Sequence, residues 1–167
     1  DTTDYELTRL ESPVNSKDSE LAPFLHNNKL YFTSLKADSI NFSEEVFSND
    51  YSLQIYSVEQ QDSMFQNLTR VKDVYEQGKH SANGSFSPDG KRFYFSRCPK
   101  NYECKIYVGR VEGDRIVDID SLGDVINEPG TFSTMPHIRR IDGKEYVFFC
   151  LNRKKSQGGL DIWYSAL

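Results

Sequence analysis

The chain has 167 residues, of which 37% are hydrophobic and 27% are charged, and its formal net charge at pH 7 is −5. This length is enough for one domain of ordinary size. The negative charge argues against nucleic acid as a partner, because phosphate binding needs a basic face. No apolar run is long enough to cross a bilayer, so we expect no membrane span.

The first element in chain order is a short segment, residues 4–10, centred on Tyr5-Glu6-Leu7-Thr8-Arg9-Leu10. It is typical of the outer strand of a four-stranded repeat whose inner strands do not precede it. We therefore expect it to act as a closing outer strand for another sheet.

The first repeat covers residues 15–71. Its first strand is predicted at Glu20 to Leu25, and Asn27-Asn28 forms the turn, since Asn tolerates the left-handed region. An aromatic strand around Leu30-Tyr31-Phe32 follows. The polar stretch from Lys36 to Tyr51 is expected to be a long surface loop. The last two strands are predicted around Ile55-Tyr56 and over Met64 to Val71.

Two further repeats, over residues 77–120 and 126–167, restate this order. Both have a Gly-containing turn before an aromatic strand, and Gly supplies the positive φ that such turns need. The turns are Pro88-Asp89-Gly90-Lys91 and Ile141-Asp142-Gly143-Lys144, and the third strands end in Ile106-Tyr107 and Ile162-Trp163. The second repeat has a polar fourth strand at Arg115 to Ile119, whereas the third repeat has none.

This pattern predicts an all-β chain of three four-stranded antiparallel repeats, which stabilise each other by stacking. The gradient from apolar inner strands to polar outer strands favours β-propeller blades over a sandwich. Three blades are too few to close a ring, so we expect half of a six-bladed propeller, completed by the remainder of a longer chain or by a second copy. Tyr31, Phe95 and Phe148 are expected to be buried between the sheets.

Cys98 and Cys104 flank a short polar stretch that is typical of a hairpin turn. Such a turn brings the two strand ends together, so a disulfide is geometrically reasonable. A disulfide would indicate an oxidising compartment, whereas two free thiols would suit the cytoplasm. Cys150 is expected to be a small core residue. The three cysteines include no CxxC pair, which argues against a structural zinc site.

The repeats resemble the TolB-type, WD-like "Pro-Asp" propeller family. The resemblance rests on Phe86-Ser87-Pro88-Asp89-Gly90-Lys91, on Asp142-Gly143-Lys144 and on Gly158-Gly159-Leu160-Asp161-Ile162-Trp163. The first repeat departs from the pattern at Asn27-Asn28. The phrases around Val14-Asn15-Ser16 and Ile126-Asn127-Glu128-Pro129 are similar to versions from Bacteroidetes cell-envelope proteins. The resemblance implies an exported, periplasmic or cell-envelope module.

Candidate ligand-binding residues lie at the end of the repeats that carries the loops between second and third strands. We expect Arg97, Tyr102, Asn152, Arg153 and His80 to contribute there, because Tyr and Arg are favoured at binding surfaces. His26, His80 and His137 do not occupy equivalent repeat positions, so no metal site is expected. Asp89 and Asp161 are interpreted as structural residues that accept bonds from nearby backbone N–H groups.

The function that these observations favour is a non-catalytic binding or scaffold module that binds a protein or a glycan of the cell envelope, without a cofactor. Gly-x-Ser-x-Gly and Gly-rich phosphate-loop motifs are absent from the sequence. One alternative is the gating propeller of a prolyl-oligopeptidase-like serine peptidase whose catalytic domain lies elsewhere. A glycan-active propeller enzyme is a third possibility, and it would need a carboxylate cluster at the ring axis.

Overall fold

The computed structural model of the chain describes residues 5–37, 51–62, 64–99 and 103–167. These ranges contain eleven β-strands and one 3₁₀ turn, Lys72–Val74. The described part of the chain contains no helix long and apolar enough to span a membrane. The predicted all-β class is confirmed.

The strands form three antiparallel sheets in chain order. The first sheet contains β1 (Glu20–His26), β2 (Lys29–Ala37), β3 (Tyr51–Gln61) and β4 (Met64–Arg70). The second contains β5 (Lys79–Phe86), β6 (Arg92–Pro99), β7 (Lys105–Glu112) and β8 (Arg115–Ser121). The third contains β9 (Phe132–Ile141), β10 (Lys144–Asn152) and β11 (Asp161–Ala166). The sheets span residues 20–70, 79–121 and 132–166, close to the predicted repeats.

Tight turns connect the first two strands of each sheet, where the sequence supplies residues that tolerate positive φ. Asn27 and Asn28 have φ of 47° and 58°, and Gly90 has φ of 71°. The carboxylate of Asp89 accepts hydrogen bonds from the Ser87 hydroxyl at 2.6 Å and from the Lys91 N–H at 3.0 Å. The structural role predicted for Asp89 is thus confirmed, and these bonds hold the pKa of its carboxyl below the ordinary value.

The three sheets pack face to face, and the second sheet lies between the other two. One core cluster joins the first and second sheets through Ile55, Phe93 and Phe95. Another joins the second and third sheets through Ile106 and Phe149. The sheets are therefore stacked like neighbouring blades, although the described residues form no closed ring.

Burial of the aromatic strands differs between the sheets. In β6 the consecutive residues 93–96 are all buried, which fits a strand covered on both faces. In β10 burial alternates, so that Val147 and Phe149 are buried while Phe148 is only partly covered. Of the three side chains predicted to be buried between sheets, Phe95 is buried, but Tyr31 and Phe148 are half-buried. The expectation was wrong for Phe148 because the face of the third sheet that carries it has no neighbouring sheet.

Each first strand contains a bulge at an equivalent position. Ala22, Asn83 and Met135 lie at these bulges, with φ of 51°, 56° and 56°. The bulge directs a backbone N–H toward the preceding sheet. Asn83 N donates to Thr33 Oγ1 at 3.0 Å, and Met135 N donates to Ser96 Oγ at 3.0 Å. These repeated bonds fix the spacing of adjacent sheets.

Residues 5–11 form no strand in the structure, and Tyr5 and Leu7 are 87% and 99% exposed. The closing outer strand over residues 4–10 therefore stays a prediction, and residue 4 lies outside the described residues. Val14 is buried against Leu30, Phe32 and Val58, so the segment that follows covers one face of the first sheet. Of the loop predicted from Lys36 to Tyr51, residues 38–50 lie outside the described residues. The prediction was wrong at both ends, because β2 extends to Ala37 and β3 begins at Tyr51.

Candidate binding groove

A groove of about 690 Å³ runs across the three first strands, β1, β5 and β9. Its lining comes from residues 21–26, 83–88 and 135–138, which the bulges bring side by side. Leu25 is 63% exposed there and Met135 is 52% exposed. Exposed apolar side chains in a concave site are the usual signature of a ligand or protein contact.

The backbone of β5 forms the centre of this groove because the chain has a glycine there. A Cβ added to Gly84 would lie 2.4 Å from the ring of Phe93 and 3.4 Å from the ring of Phe24. Gly84 thus allows β5 to lie directly on the aromatic cluster between the first and second sheets. The floor of the groove is consequently the backbone of β5, while residues of β1 and β9 lie on either side of it.

Two imidazoles border the groove. His26 stacks on Phe86 with ring centroids 3.8 Å apart, and burial lowers its pKa from the ordinary value of 6.5. His137 is exposed on β9. The residues that line the groove include no carboxylate, and the described residues contain no cluster of three or more metal-ligating side chains. The groove therefore offers apolar contact and hydrogen-bonding groups without a carboxylate.

A larger cavity of about 860 Å³ lies between the first and second sheets at the end that carries the tight turns. Four of its charged residues form two ion pairs. Lys29 Nζ lies 2.9 Å from Asp114 Oδ1, and Arg115 Nη2 lies 2.8 Å from Asp73 Oδ1. These pairs hold the turns of neighbouring sheets together, so we favour the smaller apolar groove as the binding site.

The candidate residue Arg97 is a contact between sheets and not an exposed loop residue. Its Nη2 donates to the Val74 carbonyl at 3.0 Å, and its Nη1 lies 3.2 Å from the carboxylate of Glu76. The guanidinium also lies 4.8 Å from the centre of the Tyr107 ring. Sequence reasoning missed this role because the partners come from the linker between the first and second sheets.

Arg153 makes the equivalent contact in the third sheet. It forms an ion pair with Glu128 and lies 5.1 Å from the centre of the Trp163 ring. Asn152 is exposed, and its Oδ1 accepts a hydrogen bond from Phe132 N. These two candidates therefore connect strands and linkers at this end of the molecule.

The two remaining candidates are His80 and Tyr102. His80 lies within β5, where its Nδ1 accepts a hydrogen bond from Leu53 N at 2.9 Å. Tyr102 lies outside the described residues. The four described candidates all contact strands or linkers, and the binding site that the five residues were expected to form stays a prediction. The proline after each outer bulge, Pro23 and Pro136, was the sequence signal that could have pointed to the groove instead.

Cys98 and Cys104 are joined by a disulfide in the structure. Cys104 is buried, and the bridge connects the end of β6 to the start of β7. Cys150 is not the core residue that the sequence indicated. It is partly exposed on β10, on the same face of the third sheet as Phe148.

No protein-family model matches the chain, and no curated protein matches it at a significant level.

Proposed function

We propose that this chain is a set of three β-propeller blades and that it acts as a non-catalytic protein-binding module of an exported cell-envelope protein. The groove across the three first strands carries the proposal. In a propeller the first strands of the blades line the central channel. A partner that enters the groove would therefore contact several blades at once.

The chemistry of the groove favours a polypeptide over a glycan. Leu25 and Met135 offer flexible apolar contact, and Met is common at surfaces that bind protein segments. Glycan binding would instead favour open aromatic faces. One face of Phe86 is occupied by His26 at a centroid distance of 3.8 Å. We therefore favour an extended peptide segment with apolar side chains as the ligand.

The proposed compartment is supported by the disulfide between Cys98 and Cys104. Structural disulfides persist in exported proteins and are rare in the reducing cytoplasm. Mass spectrometry of unreduced peptides from exported protein should show the two cysteines linked. Complete alkylation of both thiols without a reductant would contradict this part of the proposal.

The binding proposal can be tested with a display library of unstructured twelve-residue peptides and, in parallel, a glycan array. We expect peptides with apolar side chains to bind, and Met135→Glu and Leu25→Glu to weaken that binding at least about tenfold, as loss of a contact residue does. Val125→Glu is the matched control, since Val125 is 75% exposed and lies outside the groove. Binding to glycans alone, or equal effects of all three variants, would contradict the proposal.

A further inference from the structure

The third sheet carries an apolar face that its two counterparts bury. Strand pairing places Ile55, Ile106 and Ile162 at equivalent positions, opposite Thr33, Ser96 and Cys150. Ile55 is 1% exposed and Ile106 is 0% exposed, because the next sheet covers each of them. Ile162 is 80% exposed. The face of Ile162 is therefore the position at which a further sheet would pack.

Among the described residues, this face of the third sheet also lacks the hydrogen bond that joins the other sheets, in which a bulge N–H donates to a hydroxyl of the preceding sheet. Thr33 and Ser96 each accept a hydrogen bond from a bulge N–H of the following sheet. Cys150 occupies the corresponding position in the third sheet. The remaining bulge residue is Ala22 in β1. The first sheet of another copy would thus bring its bulge against Cys150.

The sequence before the first sheet repeats the end of an outer strand. Leu7-Thr8-Arg9-Leu10 matches Leu68-Thr69-Arg70-Val71 in three of four positions, and the fourth is also aliphatic. In the first sheet, Arg70 pairs with Tyr56 and Thr69 pairs with Ser57. Leu68 is 37% exposed in that strand, whereas Leu7 is 99% exposed. The early segment therefore has the sequence of an outer strand without a sheet beside it.

The turn that follows this segment has the shape of a linker between sheets. Val14 N and Asn15 N both donate to the Glu11 carbonyl, and Ile126 N and Asn127 N both donate to the Gly123 carbonyl. Asn15 Nδ2 donates five residues back to the Leu10 carbonyl at 2.6 Å, as Asn127 Nδ2 does to the Leu122 carbonyl at 2.7 Å. Residues 10–15 and 122–127 are therefore equivalent.

The linker between the second and third sheets, which contains residues 122–127, shows which backbone groups such a turn binds. Asn127 Oδ1 accepts from Ile106 N at 2.8 Å, and Asn127 Nδ2 donates to the Ile106 carbonyl at 2.9 Å. Leu122 N also donates to that carbonyl at 2.9 Å. The equivalent target of Asn15 and Leu10 is the backbone of Ile162, whose side chain is exposed in the third sheet.

Charge complementarity supports the same register. Arg70 Nη1 donates to Gln54 Oε1 at 3.0 Å, from the outer strand to the third strand of one sheet. The residue equivalent to Arg70 in the early segment is Arg9. The residue equivalent to Gln54 in the third sheet is Asp161, because each precedes the shared isoleucine. The alignment thus places a cation opposite an anion.

We propose that a second copy of this chain covers the exposed face of the third sheet, with its residues 5–15 lying beside β11 as an outer strand and linker. Thr8 pairs with Tyr164 and Arg9 pairs with Trp163, in the register that Asp120 and Ser121 adopt against Val108 and Tyr107. The contact occurs twice, and the two chains close a ring of six sheets. This inference rests on the blade arrangement of the proposed function and not on what the groove binds.

Sedimentation velocity tests the assembly directly. We expect a species of twice the 19.3 kDa chain mass. Ile162→Lys should raise the dimer dissociation constant at least about a hundredfold, because an apolar side chain is lost from both contacts. Val125→Lys, at a residue with 75% exposure, should leave it unchanged. A wild-type chain that stays monomeric, or a dimer that Ile162→Lys leaves intact, overturns the proposal.

A charge exchange tests the register. Arg9→Asp and Asp161→Arg should each weaken the dimer by about five- to tenfold, and the double variant should recover most of the loss, since an ion pair is restored in reversed order. Additive losses in the double variant would overturn the register. The groove proposal is tested separately, because peptide binding can be measured on the Ile162→Lys monomer.

Cysteine cross-linking gives an independent readout. In a Cys150→Ser background, Thr8→Cys with Tyr164→Cys should form a disulfide between chains under mild oxidation, since paired strand residues lie within disulfide range. Thr8→Cys with Ser165→Cys is the control, because Ser165 lies on the opposite face. Equal cross-linking of both pairs would overturn the proposed pairing.

Discussion

The second and third sheets have nearly the same aromatic sequence pattern, but they differ in what covers them. In β6 the phrase Phe93-Tyr94-Phe95-Ser96 is buried throughout, whereas in β10 the side chains of Phe148 and Cys150 are partly exposed. Ile106 and Ile162 differ by 80 percentage points in exposure at equivalent positions. In a repeat protein, burial is thus decided by the neighbouring unit and not by the repeat sequence.

The largest expected difference between these sheets concerns their aromatic side chains. Phe95→Ala should lower the free energy of unfolding by about 3–5 kcal/mol, since it leaves a cavity between two packed sheets. Phe148→Ala in the monomeric Ile162→Lys background should cost less than about 1.5 kcal/mol, because Phe148 is packed on one side only. Urea denaturation measures both values. Similar losses of stability for the two variants would contradict the difference in packing between Phe95 and Phe148.

The two inter-sheet arginines offer the next comparison. The Arg97 side chain is 11% exposed and that of Arg153 is 32% exposed. Arg97→Ala should lower the free energy of unfolding by about 2–3 kcal/mol. The reason is that the Val74 carbonyl loses its charged hydrogen-bond donor and the Tyr107 ring loses the guanidinium packed against it. Arg153→Ala should cost less than about 1 kcal/mol, as exposed ion pairs do. Equilibrium unfolding of the two variants tests this order, and a larger loss at Arg153 would reverse it.

The hydroxyl contact between sheets should have a smaller effect. Ser96→Ala removes the acceptor for Met135 N and should cost about 1–2 kcal/mol. Cys150→Ala, at the equivalent position of the third sheet, should change the stability of the monomer by less than about 0.5 kcal/mol. Thermal unfolding of both variants in the Ile162→Lys background checks the difference. A neutral Ser96→Ala would mean that the bulge contact does not hold the sheets together.

The smallest expected effect is a dependence on pH. A hydrogen bond from Arg115, together with one from the Ile116 N–H, lowers the pKa of Asp73 below its ordinary value of 3.8. A lowered pKa stabilises the fold above pH 3.8, and this contribution is lost as the pH falls through the folded-state value. Asp73→Asn should therefore flatten the stability curve in that acidic range. Asp124→Asn, which removes an exposed carboxylate instead, is the control.

The sequence was sufficient to predict the strands, their order and the tight turns. Those features depend on local signals, such as aromatic runs and the Asp89-Gly90 turn. It was not sufficient to predict which face of a strand is covered, because the aromatic pattern around Phe148 is similar to that around Tyr94. It also could not place Arg97, whose partners Val74 and Glu76 become neighbours only when the first and second sheets pack.

The groove shows a related limit. Each bulge consists of an ordinary residue with positive φ, and Ala22 and Met135 carry no sequence signal for that conformation apart from the proline that follows. Of the binding residues predicted at the opposite loops, His80 and Arg97 instead contact the first sheet and the linker that follows it. Only the alignment of three first strands reveals a common apolar surface, which no single repeat contains.

The reactivity of Cys150 tests the central claim most directly, namely that the face of the third sheet is an unfilled packing site of the repeat. The other two cysteines are joined in a disulfide, so a maleimide reagent reports on this thiol alone. We predict that the labelling rate falls as protein concentration rises, with a midpoint that coincides with the doubling of mass. A labelling rate that is independent of concentration would contradict this account.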